Sequence, residues 1–143
     1  MRIPEEDIKH LIEKAAKARG RAYAPYSKFA VGAAVLTEDG HIFTGANIEN
    51  ASYSMTVCAE RMAIGAAVNA GDKKINALAV IGGHIELPKK WRKTPPCGAC
   101  RQVMAEFMPE DALVIAASLE GSYDTYILKN ILPVAFKLED PKR

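Results

Sequence analysis

The stretch Leu113-Val114-Ile115-Ala116-Ala117-Ser118-Leu119-Glu120-Gly121-Ser122-Tyr123-Asp124-Thr125-Tyr126-Ile127 decides how this chain folds. Its first five residues form an unbroken apolar run, the pattern of a strand buried on both faces. Its last five alternate, the pattern of a strand with one face in water. Five residues, 118–122, lie between the two. A parallel crossover needs roughly a dozen residues or more. The last two strands, as sheet neighbours, are therefore expected to run antiparallel.

Working outward, residues 97–108 read as a helix, with Pro96 at its start and Pro109 at its end. Residues 78–81 read as a short buried strand that stops at Gly82-Gly83, and residues 84–95 as a loop. Residues 58–70 are helical in pattern, filled with Ala and Met, and Gly71 follows. An apolar run over residues 29–36, the turn Glu38-Asp39-Gly40 and a returning run over 41–47 make an antiparallel hairpin. Residues 5–19 form an amphipathic helix, with Ile8, Leu11, Ile12, Ala15 and Ala16 at helical spacing. A short helix or turn and a charged tail follow residue 127. The expected architecture is α/β, a mixed five-stranded sheet with helices packed on it, in one domain spanning residues 1–143.

Composition sets outer limits. The 143 residues are 49% hydrophobic and 25% charged, with a formal net charge of +2. That apolar fraction excludes low-complexity disorder. The near-neutral charge supplies no global field to attract nucleic acid or an anionic membrane. The start, Met1-Arg2-Ile3-Pro4-Glu5-Glu6-Asp7, has no apolar core of a targeting signal, and no run is long enough to span a membrane. A cytoplasmic protein is expected. An odd count of three cysteines is not a disulfide framework.

Each cysteine falls at the start of a helical pattern. Cys58 opens one helix; Cys97 and Cys100 open another, in Pro96-Cys97-Gly98-Ala99-Cys100. The i, i+3 spacing puts the latter two thiols on one helix face. Helix N-termini favour thiolates, and thiolates bind zinc. The C-x-x-C pair alone fits a redox couple as well as a metal pair; Cys58 at a second helix start tips the reading toward metal. Three sulfur ligands leave one corner of a tetrahedron open, the mark of a catalytic rather than a structural zinc. His10, His41 and His84 are candidates for a closing fourth ligand, but none lies beside a cysteine or at a helix start. Glu60, two residues after Cys58, is placed to exchange protons with a metal-bound water, or else is an ordinary first-turn acid. Arg61 could donate to sulfur and drain the net −1 charge of three thiolates and one Zn²⁺, or else is a surface arginine.

The pair Cys58-Ala59-Glu60-Arg61 and Pro96-Cys97-Gly98-Ala99-Cys100-Arg101-Gln102 closely resembles the zinc-dependent cytidine deaminases, in their small, all-cysteine, homotetrameric class. The likeness extends to Phe29-Ala30-Val31-Gly32-Ala33-Ala34, to Gly45-Ala46-Asn47-Ile48-Glu49-Asn50-Ala51-Ser52-Tyr53-Ser54 and to Leu132-Pro133-Val134-Ala135-Phe136. The resemblance implies a three-layer α/β/α fold and one zinc per subunit on Cys58, Cys97 and Cys100, with water in the fourth position attacking C4 of cytosine. It gives Glu60 the transfer of protons from that water to ring N3 and the leaving amine. It gives Asn47 and Glu49 the ribose hydroxyls, Phe29 the face of the pyrimidine, the Ala59 N–H the base carbonyl and Arg61 the zinc thiolates. Phe136 and Tyr53 resemble residues that complete a site shared between subunits. The reaction implied is deamination of cytidine and deoxycytidine to uridine and deoxyuridine with release of ammonia, in pyrimidine salvage, with no nucleic-acid or membrane partner.

Residues 85–94, Ile85-Glu86-Leu87-Pro88-Lys89-Lys90-Trp91-Arg92-Lys93-Thr94, exceed the family's usual link before Pro-Cys. Their basic and aromatic mix suits a nucleic-acid patch or a solvated loop, and the modest net charge favours the loop. Three rival readings stay in view. A blasticidin-type deaminase would share the cysteines but not the Asn47-x-Glu49 pair. A nucleic-acid deaminase would need a longer, parallel connection than residues 118–122 allow. A non-catalytic zinc module would need a fourth protein ligand.

Overall fold

A computed structural model describes residues 2–87 and 93–138 of the chain. Helix α1 (Glu5–Arg19) carries Glu5, Glu6 and Asp7 in its first turn and Lys17 and Arg19 in its last, each sign facing the helix end that attracts it. Its inner stripe, Ile8, Leu11, Ala15 and Ala18, is buried, as the helical spacing predicts. Strands β1 (Phe29–Thr37) and β2 (Ile42–Ala46) form the expected antiparallel hairpin. Helix α2 (Ala59–Asn69), strand β3 (Ile75–His84), helix α3 (Gly98–Phe107), strands β4 (Leu113–Ala117) and β5 (Tyr123–Ile127) and the short helix α4 (Leu128–Ile131) follow.

The strands form one five-stranded sheet in the order β2-β1-β3-β4-β5. The pair β3–β4 is parallel, joined by the crossover that contains α3. β5 returns antiparallel to β4, in register from Leu113 opposite Ile127 to Ala117 opposite Tyr123. The five-residue link permits nothing else.

Side chains alternate across the sheet and divide the core in two. Leu78, Val80 and Val114 face α2 and α3 and pack with Ala63, Ile64, Cys100 and Met104. Ala77, Ala79, Ile81 and Ile115 face the other way and pack with Ile8, Leu11 and Ala15 of α1. The result is helix, sheet, helix in three layers. The α2 side requires close approach at Gly45 of β2. A Cβ there would lie 2.4 Å from the Ala63 nitrogen, so glycine lets α2 lie directly on the hairpin.

One strand departs from the sequence reading. β3 extends from residue 75 to 84, through the Gly82-Gly83 pair expected to end it. Pairing with β1, in register from Phe29 opposite His84 to Leu36 opposite Ala77 and shifted before Thr37 opposite Ile75, carries the strand through the glycine pair and overrides the local turn signal. The loop is correspondingly shorter, beginning after His84. The excess loop noted over residues 85–94 falls partly on residues 88–92, which lie outside the described residues.

Candidate metal centre and adjoining cleft

Two helix starts meet beyond the carboxyl end of β3, the end at which α/β sheets commonly bind ligands. Cys58 is the N-cap of α2, and Cys97 is the N-cap of α3. Each has extended backbone and lies one residue before its helix proper, slightly outside the expected position. Neither thiol makes the usual side-chain cap bond to its own helix. Cys100, one turn into α3, is fully buried. The three sulfur atoms lie within 4.8 Å of one another, with Cys97 and Cys100 3.5 Å apart. Zn–S bonds of about 2.3 Å set the edges of a tetrahedron near 3.8 Å, so the three sulfurs suit one zinc ion with little adjustment.

The protonation pattern fits the same conclusion. The Cys58 thiol is pushed down to about 5, chiefly by a hydrogen bond from Cys100 and further by Arg61, against the opposing effect of burial. Cys100 is pushed far up, by its bond to Cys58 and by burial. The cluster therefore holds one thiolate ready-made and retains a proton that a dication would displace. Arg61 Nη2 donates to Cys58 Sγ at 3.8 Å and to the Thr56 carbonyl at 3.5 Å. The Cys58 sulfur, first by that bond and then by its charge, raises the guanidinium pKa. Among the described residues, Arg61 Nε is buried without a hydrogen-bond partner, an orphaned donor on the same guanidinium that reaches the Cys58 sulfur. The surface-arginine alternative fails here.

Glu60 is 5% exposed. Burial, opposed by its own backbone N–H and reinforced by the nearby Cys58 charge, pushes its carboxyl up to about 7. An ordinary first-turn acid would be solvated and ionised; this one lies inside, poised to gain or lose a proton near neutrality. Ala59, the first residue of α2, is fully buried beside it. Its N–H is among those that a helix start leaves without an intrahelical acceptor.

The hairpin side of the cleft is built differently. The Asn47 amide bridges the β1 edge: Nδ2 donates to the Phe29 carbonyl at 2.9 Å, and Oδ1 accepts from Val31 N–H at 2.9 Å. Glu49 Oε1 accepts from the Tyr26 and Ser27 N–H groups at 3.0 and 3.1 Å, and Oε2 from the Ser27 hydroxyl at 2.5 Å. Burial opposes ionisation, but these bonds and the Lys28 charge outweigh it and hold Glu49 below the usual carboxylate range. Ser27 Oγ also accepts from Phe29 N–H at 3.0 Å. Phe29 is half-buried, its ring against Gly82, where a Cβ would lie 2.9 Å from the ring. Tyr26, Ser27, Glu49, Tyr53 and Thr56 line a cavity of about 370 Å³. Thr56 links this cavity to the metal side through its carbonyl's bond to Arg61.

Tyr53 and Phe136 stand apart from the buried residues, with side chains at the surface. Tyr53 is 76% exposed and meets Tyr26 edge to face, centroids 6.2 Å apart; Phe136 is 69% exposed. The sequence reading missed three contributors. Ser27 ties Glu49 to Phe29. Arg101 donates to the Pro96 and Ile131 carbonyls, and Gln102 to the Phe136 carbonyl. Arg101 and Gln102 lie inside the Pro-Cys motif, so proximity to the ligands was the available signal.

Among the described residues, this is the one group of three or more His, Cys, Asp or Glu side chains close enough to share a metal ion. In this α/β/α layer structure two helix starts converge on three sulfurs spaced to share one metal ion, with a buried carboxyl beside them. Residues 5–116 match the family model described as the cytidine and deoxycytidylate deaminase zinc-binding region, and the chain belongs to that family. A cytidine deaminase of Halalkalibacterium halodurans is 47% identical over 94% of this chain and 97% of its own. One from Sporosarcina psychrophila is 48% identical over 94% of each chain. The crystal structure of a cytidine deaminase from Burkholderia pseudomallei superposes with a TM-score of 0.82 at 41% identity, covering 94% of this chain and all of that one.

Proposed function

We propose that this protein catalyses zinc-dependent hydrolytic deamination of cytidine and deoxycytidine, giving uridine and deoxyuridine with release of ammonia. The observation that carries the reading is Glu60, a buried carboxyl poised near pH 7 beside three converging thiols. Bound zinc, held by Cys58, Cys97 and Cys100, supplies the Lewis acidity that makes water nucleophilic at neutral pH. The bond formed is C4–O and the bond broken is C4–N. Glu60 takes one proton from the attacking water and delivers it to ring N3, then takes the remaining proton of the new C4 hydroxyl and delivers it to the departing amine, which leaves as ammonia as the C4 carbonyl forms. Its burial keeps the carboxyl's affinity for protons high enough to do both. Arg61 tempers the excess negative charge of the thiolates through Cys58.

On the hairpin side, Phe29 packs on the pyrimidine face and the Ala59 N–H meets the base carbonyl. Asn47 and Glu49 address the sugar, with Glu49 already ionised and facing the adjoining cavity. Tyr53 and Phe136, with rings turned to the surface, meet neighbouring subunits of a homotetramer whose sites are shared. The setting is the cytoplasm and pyrimidine salvage; among the described residues no helix is long and apolar enough to cross a membrane. The test is turnover of cytidine, deoxycytidine, blasticidin S and a short single-stranded oligonucleotide, side by side, by protein of measured zinc content. Ammonia release from the two nucleosides is expected. Turnover confined to blasticidin S or to the oligonucleotide, or none at all, overturns the reading.

A further inference from the structure

The helix that carries two of the three metal ligands also holds the C-terminal segment. Arg101 follows Cys100 directly. Its Nε donates to the Pro96 carbonyl at 2.8 Å, just ahead of Cys97, and its Nη1 donates to the Ile131 carbonyl at 2.9 Å, thirty residues on. Its backbone N–H closes the first turn on the Cys97 carbonyl at 3.0 Å. Gln102 Nε2, the next residue, donates to the Phe136 carbonyl at 3.1 Å. Beyond α4, the Leu132 N–H returns to the Leu128 carbonyl at 3.0 Å. Lys137 pairs with Glu110 at 3.6 Å, an exposed contact, while Val134 is fully exposed with a left-handed φ of 52°. A branched residue takes that conformation only where its neighbours impose it. The segment is thus tied to α3 at two points, Ile131 and Phe136.

We propose that Arg101 is a positioning residue that couples metal retention to the order of the C-terminal segment. A planar guanidinium can bridge two carbonyls at fixed angles. It holds the Pro96–Cys97 peptide where the Cys97 sulfur meets its two partners, and by the same plane it holds Ile131. Metal binding fixes the first carbonyl and so favours the second; an ordered segment returns the favour to the metal, since coupling between two sites is reciprocal. This rests on the reading that the three thiolates hold zinc, and it makes no use of the substrate.

The experiment combines hydrogen exchange and zinc release on the full chain, for the wild type and for Arg101→Lys, which keeps the charge but not the fork. In the wild type, removing zinc should speed exchange across residues 128–138 as well as across 96–104. In Arg101→Lys, residues 128–138 should exchange fast whether or not zinc is bound. Zinc release to a chromogenic chelator should be about tenfold faster in the variant, in the range typical of groups that orient metal ligands. A purely structural arginine would loosen the segment yet leave zinc release within twofold of wild type, and that result overturns the proposal. So does wild-type exchange at 128–138 that ignores zinc while 96–104 responds. Where zinc removal unfolds the whole chain and hides the local difference, the release rate decides alone. Neither readout involves turnover, so an inactive protein with intact coupling would sink the deaminase reading and leave this one standing.

Discussion

The two sides of the cleft satisfy their polar groups in opposite ways. On the hairpin side, the Asn47 amide and both Glu49 oxygens already hold backbone or hydroxyl partners within the chain. On the metal side, Glu60 is buried with its carboxyl pushed up to about 7, Arg61 Nε has no hydrogen-bond partner among the described residues, and three cysteine sulfurs crowd together. The hairpin side is a finished wall, shaped before anything binds. The metal side is under tension until a dication neutralises it, and buried polar groups left in that state are the usual sign of chemistry. The difference implies that substitutions on the hairpin side act on binding, and substitutions on the metal side act on the reaction and on the stability of the metal-free chain.

Several variants could break that contrast. The largest effect belongs to Cys100→Ala, which removes the most buried ligand. It should abolish both zinc retention and turnover, checked by metal analysis and ammonia release; a variant that kept one zinc per subunit would deny Cys100 its role. Next comes the effect of Glu60 on the metal-free protein. A carboxyl raised from 4.5 to about 7 contributes most to stability at low pH and loses that contribution as pH rises through its folded value. At about 1.4 kcal/mol per unit, the loss in metal-free wild type approaches about 3 kcal/mol between pH 4 and pH 8. Glu60→Gln should remove this slope and be the more stable metal-free protein at pH 8, by thermal melts at the two pH values. Parallel melting behaviour would mean that Glu60 is not strained. The smallest effect is on the hairpin side. Glu49→Gln loses charge but keeps its shape, and should raise KM for cytidine about tenfold, close to one charge-assisted hydrogen bond, with kcat little changed. A fall in kcat with unchanged KM would place Glu49 in the chemistry and erase the contrast.

Much of this was legible from local pattern. Helix α1 and strands β4 and β5 follow from apolar spacing and the length of the link at 118–122, because both signals are local. The metal site was legible because thiols at two helix starts are a rare arrangement with few other uses. The ends of β3 were not, because Gly82-Gly83 is a turn by propensity and a strand only through its pairing with β1. Nor were Arg101 and Ser27. Each has a partner more than twenty residues away, the Ile131 carbonyl for Arg101 and the Glu49 carboxylate for Ser27, and a side chain reaching across the fold leaves no periodicity behind. The family resemblance assigned Asn47 and Glu49 to the sugar; that both also frame Phe29 emerges only from the hydrogen bonds.

The central claim is that a buried carboxyl beside a three-thiolate zinc moves the protons of the reaction. The direct measurement is cytidine turnover by Glu60→Gln beside wild type, with zinc measured in both. Glutamine preserves the size of the side chain and cannot carry the proton. The account predicts one zinc per subunit in each protein and a loss of kcat of about 10³-fold or more in the variant, within or beyond the range for a general acid–base group. A zinc-loaded variant that released ammonia from cytidine at near wild-type rate would contradict it.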